Sequence, residues 1–479
     1  MPATAIAVRR RWPAALLVLA GLLALPARAA AIDEAAPTFT ADSCCELCPR
    51  AADPAVYVTQ FLRDHQTLIA GSEQWLFRSN IDLMTAYTID EAVLADLGRM
   101  VRALNRRGTE VLLFDFPPRG ILHADRLLPG DRAGFDAVAA LASYRAMLQR
   151  FRDIGFIVPD YGRFADQPDG GDYYFRRDGH WTPDGARRTA ALMADTIAGL
   201  PMAGTLRHRP YATRSNGANR HPGVLSIAAM QLCGGQYPSE VLPGYVTDAL
   251  KVDPFGDEPA PEIALVGTSF SATPTYHFAG FLEQALQASV LNLSLPGGNF
   301  DGAMTQYLLS DAFRSQPPRL LIWEFGHPQI AVANHGQMRR LVPLVDNGCV
   351  ARTALISGEA SLASGDDYAS LLYNGGGQIL RVPSRELVVD LQFGDPAVIE
   401  FLAESWYLDG KHEVLRVRLN DFTRSKGRFV IELDRSPDFA DQPLIAFRVQ
   451  IVTPIAAATK VSARLCRADE PPGSAESGR

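Results

Sequence analysis

The chain has 479 residues, 47% hydrophobic and 21% charged, the make-up of a globular protein and not of a disordered or collagen-like one. At roughly 150 residues per domain, that length predicts two or three domains with ample core. Lys and Arg number 46 against 53 acids, a net charge of −7, so no basic excess exists to hold a nucleic-acid backbone by counterion release.

Arg9, Arg10 and Arg11 precede an apolar run from Ala14 to Pro26, followed by Ala27-Arg28-Ala29. A basic start, an apolar stretch and an A-x-A site predict a secretory signal peptide over residues 1–29. The run is shorter than the roughly 20 apolar residues a bilayer span needs. Sec and twin-arginine export both stay open. Cleavage after Ala29 removes four arginines and no acid, taking the charge from −7 to −11.

Cys44, Cys45, Cys48, Cys233, Cys349 and Cys466 all lie in the exported chain, where disulfides are the default. Cys349 and Cys466 bracket the last third and would close it as a unit, a loop worth about 4–5 kcal/mol in the chain-entropy model. Cys233 then pairs with one of the three N-terminal cysteines, with Cys44 the working choice. Cys45-Glu-Leu-Cys48 has redox spacing, but no strand-then-helix frame surrounds it.

Residues 90–107 carry Val93, Leu94, Leu97, Val101 and Leu104 at helical spacing, ending at Gly108. The apolar run 110–116 reads as a buried strand stopped by Pro117-Pro118. A helix over 133–152 and a strand at 156–158 follow. Thr182 and Pro183 open a helix to Leu200, as N-cap and first-turn residues. Strand 262–266 leads to a helix reaching about Ala288, then strand 290–295, a helix around 302–313 and strand 319–325. Near-continuous apolar strands alternating with helices predict an α/β fold with a parallel sheet covered on both faces.

After Cys349 the pattern becomes strands at 387–391, 398–402, 414–419, 429–433, 445–452 and 461–465, with turns such as Asp409-Gly410 between them. This predicts a smaller β-sandwich over 347–468, following a catalytic domain over 40–346. Residues 469–479, with Pro471-Pro472-Gly473-Ser474, read as a disordered tail.

Two short motifs carry chemistry. Gly267-Thr268-Ser269 follows a strand and opens a helix, and the carboxyl edge of an open parallel sheet is where ligands bind. A serine there can expose its hydroxyl beside backbone N–H groups able to hold an oxyanion, although the same triplet also describes a plain N-cap. In Asp178-Gly179-His180-Trp181-Thr182-Pro183, residues two apart in extended chain point the same way. Asp178 can thus fix one His180 nitrogen and leave the other for a nucleophile. A zinc site at these two residues has no supporting HExxH or paired-Cys spacing, so neither metal nor cofactor is expected.

Together the two motifs resemble the SGNH-hydrolase-like family of exopolysaccharide O-acetyltransferases, and within it the alginate biosynthesis acetyltransferases with a C-terminal carbohydrate-binding domain. Gly71-Ser-Glu-Gln-Trp75-Leu-Phe77, Phe116-Pro-Pro-Arg119-Gly120 and Trp323-Glu324-Phe325 support the likeness. The resemblance implies a periplasmic enzyme with Ser269 as nucleophile, His180 as base and Asp178 as orienting carboxylate, passing acetyl from a donor through an acetyl-serine to a polymer hydroxyl. It also implies oxyanion donors at Gly298 and Asn299. Its partners would be the polysaccharide, a membrane-bound acyltransferase that delivers the acetyl donor, and periplasmic export proteins, with the chain itself a monomer.

Arg119 is a candidate for a sugar carboxylate or acetyl carbonyl. In the second domain Trp406, with Lys411 and His412 near it, is a candidate sugar platform that Arg416 and Arg418 could extend. The charge of −11 favours no anionic polymer over a neutral one. Two other readings stay open: an acetylesterase using the same triad with water as acceptor, and a non-catalytic scaffold in an export complex.

Overall fold

The computed structural model describes residues 47–132, 134–166, 171–250 and 259–468, all within one compact unit. The expected signal peptide, Cys44, Cys45 and the tail at 469–479 lie outside these residues. Among the described residues, no helix is long and apolar enough to cross a membrane.

Strands β1 (Leu68–Ala70) and β2 (Leu76–Arg78) form a small antiparallel pair. The central sheet starts with β3 (Glu110–Phe114). A polar hairpin, β4 (Tyr211–His221) with β5 (Glu240–Ala249), stands apart from it. Strands β6 (Ile263–Val266), β7 (Val290–Asn292) and β8 (Leu320–Glu324) complete the sheet in the order β3-β8-β6-β7, every pair parallel. Val111 to Phe114, Ile263 to Val266 and Leu320 to Trp323 are buried throughout, as continuous apolar strands are when helices cover both faces. Helices Glu91–Arg106, Ala137–Asp153, Pro183–Ala198, Phe278–Leu286 and His335–Val345 supply that cover.

Three local expectations change. Segment 156–158 contributes one parallel bridge, Ile157 to Leu112, and no full strand. The helix after β6 is cut into Ser269–Ala272 and Phe278–Leu286 by a 3-10 turn at Pro274–Tyr276, where proline can give no helical N–H. The helix around 302–313 splits because Ser310 caps a new start, its hydroxyl accepting the Phe313 N–H.

The last third folds as β9 (Ile356–Leu362), β10 (Ala369–Tyr373), β11 (Leu387–Phe393), β12 (Glu400–Tyr407), β13 (His412–Arg418), β14 (Arg428–Glu432), β15 (Leu444–Ile451) and β16 (Thr459–Arg467). They make two four-stranded antiparallel sheets, β10-β15-β12-β13 and β14-β11-β16-β9, closed over a core that includes Phe393, Phe401 and Phe429. Val388 and Val430 point the other way and join the core of the α/β part. Arg339, buried on helix His335–Val345, forks onto both Glu413 oxygens at 2.8 Å and donates to the Glu432 carbonyl, tying that helix to the sandwich.

Cys349 and Cys466 form the expected disulfide. Cys233 pairs with Cys48 and not with Cys44. Packing accounts for the choice: Cys48 precedes the turn Pro49–Ala52, whose Ala51 is buried against Leu225, Ala228 and Leu232 of helix Val224–Cys233.

Candidate active site

Strand β6 ends at Val266, and Gly267 then turns the chain into Thr268 and Ser269. A β-carbon on Gly267 would lie 2.3 Å from the Glu324 carboxylate, so this position has room only for glycine. Glu324, at the end of β8, accepts the Thr268 N–H at 2.6 Å and its hydroxyl at 2.7 Å. Its burial raises the carboxyl pKa above the usual range, partly offset by these bonds. Thr268 is therefore clamped, and Ser269 stands half-exposed as the first residue of the following helical turn.

His180 reaches Ser269 from the other motif, with Nε2 2.8 Å from Oγ. Its Nδ1 lies 2.6 Å from Asp178 Oδ1, which also accepts the His180 backbone N–H at 2.9 Å. The rest of the hexapeptide anchors this geometry. Trp181 is buried and donates Nε1–H to the Phe270 carbonyl next to Ser269. The Thr182 hydroxyl caps helix Pro183–Ala198 through the Gly185 N–H. Phe270 and Tyr276 pack against the His180 ring, at 4.7 and 5.2 Å between ring centroids.

A fourth residue joins this line. His221, the last residue of β4, places Nε2 2.7 Å from Asp178 Oδ2, and the Val224 N–H donates to the same oxygen at 2.9 Å. Burial pushes the Asp178 carboxyl pKa up, but the bonds and charges of His180 and His221 outweigh it and hold the pKa well below the usual carboxylate range. Asp178 is thus a buried, ionised acceptor with both oxygens engaged. The turn that brings His221 in needs Gly223, whose φ is 74° and whose absent β-carbon would meet the Arg177 carbonyl at 2.4 Å. No periodicity announces this contact, since Asp178 and His221 lie on different elements 43 residues apart.

Two expected ligand residues are otherwise engaged. Arg119 is buried, and its guanidinium donates to the carbonyls of Phe175, Leu76 and Arg176 while lying 4.5 Å from the Trp75 ring. It cannot reach a sugar in this arrangement; it braces the segment leading into Asp178. Burial lowers its pKa to about 10. Arg119→Met is expected to take this donor from the Phe175 and Leu76 carbonyls, while the Arg176 carbonyl keeps the Leu76 N–H, and to cost about 3 kcal/mol, read as a lower thermal midpoint. The Gly298 N–H is likewise spent, donating to the Leu295 carbonyl at 2.9 Å, because the chain turns there. Asn299 uses only its Oδ1, on the Phe300 N–H, and its φ is 56°. The Ser269 N–H and the Asn299 side-chain NH2 have no partner among the described residues. The sandwich touches this loop directly, Asn420 donating to the Gly298 carbonyl at 2.8 Å.

On the sandwich, Trp406 lies within β12 and not after it, stacked on His412 across the β12–β13 pair at 4.4 Å. It is half-buried, and its indole N–H lacks a partner among the described residues. Lys411 is exposed but pairs with Asp438 at 3.2 Å, and Arg416 pairs with Glu400. The expected basic patch is therefore largely neutralised by acids on the same face. No group of three or more His, Cys, Asp or Glu able to hold a metal occurs among the described residues.

Comparison with known proteins gives the same two-part organisation. Residues 68–327 match the family model described as an SGNH hydrolase-like domain of an AlgX-type acetyltransferase, and residues 348–478 match a C-terminal carbohydrate-binding module. The chain is 38% identical over 458 residues to the alginate biosynthesis protein AlgX of Pseudomonas putida, covering 94% of each. It is 29% identical over 301 residues to a probable alginate O-acetylase, AlgJ, of Pseudomonas aeruginosa, covering 58% of this chain and 74% of that one. The solved structure of Pseudomonas aeruginosa AlgX superposes with a TM-score of 0.80 at 33% identity, covering 88% of this chain and 99% of that one.

Proposed function

The chain belongs to the AlgX family of alginate biosynthesis proteins, with an SGNH hydrolase-like domain and a carbohydrate-binding module, and from that premise we propose that it O-acetylates an exported polysaccharide, alginate, in the periplasm. The observation that carries the reading is the continuous hydrogen-bonded line from Asp178 through His180 to Ser269 at the carboxyl edge of the parallel sheet.

In this reading Ser269 Oγ attacks the acetyl carbonyl of a donor while His180 Nε2 takes its proton, and the tetrahedral oxyanion is held by the Ser269 N–H and the Asn299 amide. Collapse breaks the bond to the donor's leaving group, which takes the proton from His180 and leaves acetyl-Ser269. A sugar hydroxyl then gives its proton to His180 and attacks the acetyl carbonyl, releasing Ser269 Oγ, which recovers the proton. Asp178 stabilises the imidazolium in both halves. Delivery of the donor by a membrane-bound acyltransferase, and contact with periplasmic export proteins, belong to the same proposal. The domain limits proposed are 40–346 for catalysis and 347–468 for polymer binding.

The test gives the mature protein an activated acetyl ester with and without uronate oligosaccharides and follows acetylated sugar by mass spectrometry. Acetyl gain on the sugar supports transfer; acetate release alone would favour the esterase reading. Trp406→Ala is expected to raise KM for the oligosaccharide about tenfold, ~1.4 kcal/mol, while leaving hydrolysis of a small ester unchanged. His221 acts through Asp178 as a positioning residue. His221→Phe is expected to lower kcat by about 10- to 100-fold with little change in KM, and His221→Gln, which keeps a donor, to recover part of the loss. Steady-state kinetics of both variants check this.

A further inference from the structure

A second cleft lies where helices Glu91–Arg106 and His335–Val345 meet the sandwich. Its cavity volume is about 180 Å3, and it is lined by Arg99, Arg102, Arg106, Arg352, Arg435 and Glu432, among others. The cleft is remote from the nucleophile by topology: helix Glu91–Arg106 runs into the start of β3, whereas Ser269 follows the end of β6, and in a parallel sheet these are opposite edges.

Its charge is the reverse of the chain's. Five arginines line it with only two acids, Asp346 and Glu432, in a protein of net charge −7. Both acids already have partners. Glu432 takes Arg99 at 2.5 Å and Arg435 at 3.8 Å, and Asp346 lies 3.9 Å from Arg107. Arg102 and Arg106, both exposed, have no acidic partner among the described residues. Arg352 is the decisive group. It is 7% exposed, its Nε has no hydrogen-bond partner, and its guanidinium pairs with no acid among the described residues. A buried guanidinium without a counter-charge is costly, and its planar fork matches the two oxygens of a carboxylate or phosphate.

We propose that this cleft is a second ligand site that binds an oxyanion, with Arg352 inside and Arg102 and Arg106 at its mouth. The oxyanion is carried either by an acidic sugar or by free phosphate. The site is independent of the acetyl-transfer reading, because none of its residues belongs to the Ser269 line. A ligand held there contacts both halves of the protein and so couples them.

Calorimetric titration at low ionic strength tests this, with inorganic phosphate and a uronate oligosaccharide as separate probes. The mature chain carries Trp406→Ala as background, so that binding at that platform does not intrude. At least one probe is expected to bind, and to weaken tenfold or more both in Arg352→Gln and in the surface pair Arg102→Ala/Arg106→Ala. Adding Ser269→Ala should change nothing. If Arg352→Gln does not fold, the surface pair alone decides. Phosphate binding alone assigns the site to a free oxyanion; tighter oligosaccharide binding assigns it to an acidic sugar. Binding of neither probe, or equal binding in the arginine variants, overturns the proposal. So does binding that emerges only when the chain is ended at Ala468, since Asp469 and Glu470 would then be the occupants.

Discussion

Ser269→Ala is expected to abolish acetylation of the oligosaccharide, lowering kcat by about 10⁴- to 10⁶-fold, because among the described residues no other hydroxyl is paired with His180 Nε2. The fold should survive. Ser269 is half-exposed, and the clamp that shapes the turn is the Thr268–Glu324 pair, which the substitution leaves intact. Oligosaccharide affinity, measured by titration, should therefore stay near the parent value while turnover disappears. Loss of both would mean that the serine serves structure. Retained turnover would remove it from the chemistry.

Asp178→Asn should lower turnover by roughly 10⁴-fold, since an amide can present an N–H to His180 Nδ1 and so favour the wrong tautomer. It should also alter acid stability. The folded-state pKa of Asp178 is held well below its unfolded value of about 3.9. Its contribution to stability is thus fully present above that unfolded value and is lost as pH falls through the folded one. Thermal midpoints taken from neutral pH down to about pH 3 should fall less steeply in the variant than in the parent. Equal slopes would show that the carboxylate is not depressed as its four bonds require.

Both motifs of the candidate site were legible in the sequence because each is local. Asp178 and His180 are two residues apart, and Thr182 with Pro183 marks where the loop must end. Ser269 follows an apolar strand whose burial on both faces leaves it uninterrupted. The same holds for the sheet and the sandwich strands, which hydrophobic runs and turn residues delimit. What stayed hidden depends on contacts between distant segments. The hairpin Tyr211–His221/Glu240–Ala249 is polar and mostly half-exposed, so it lacks an apolar period, yet it delivers His221 to Asp178. Arg119 reads as a ligand in isolation, whereas the Phe175–Arg176 carbonyls and the Trp75 ring that claim it come from far along the chain. The choice of Cys48 over Cys44 likewise rests on how the turn at Pro49 packs against a helix that the spacing does not announce.

The proposed transfer requires that an acetyl group reside on Ser269 between donor and sugar. The most direct measurement mixes the mature protein with an activated acetyl ester without acceptor, quenches it in acid, and maps acetylation by peptide mass spectrometry. One acetyl on the peptide carrying Ser269, absent from Ser269→Ala and discharged when uronate oligosaccharide is added before the quench, is the expected result. Acetylated sugar formed while Ser269 is never acetylated, or formed equally by the Ser269→Ala protein, would contradict it.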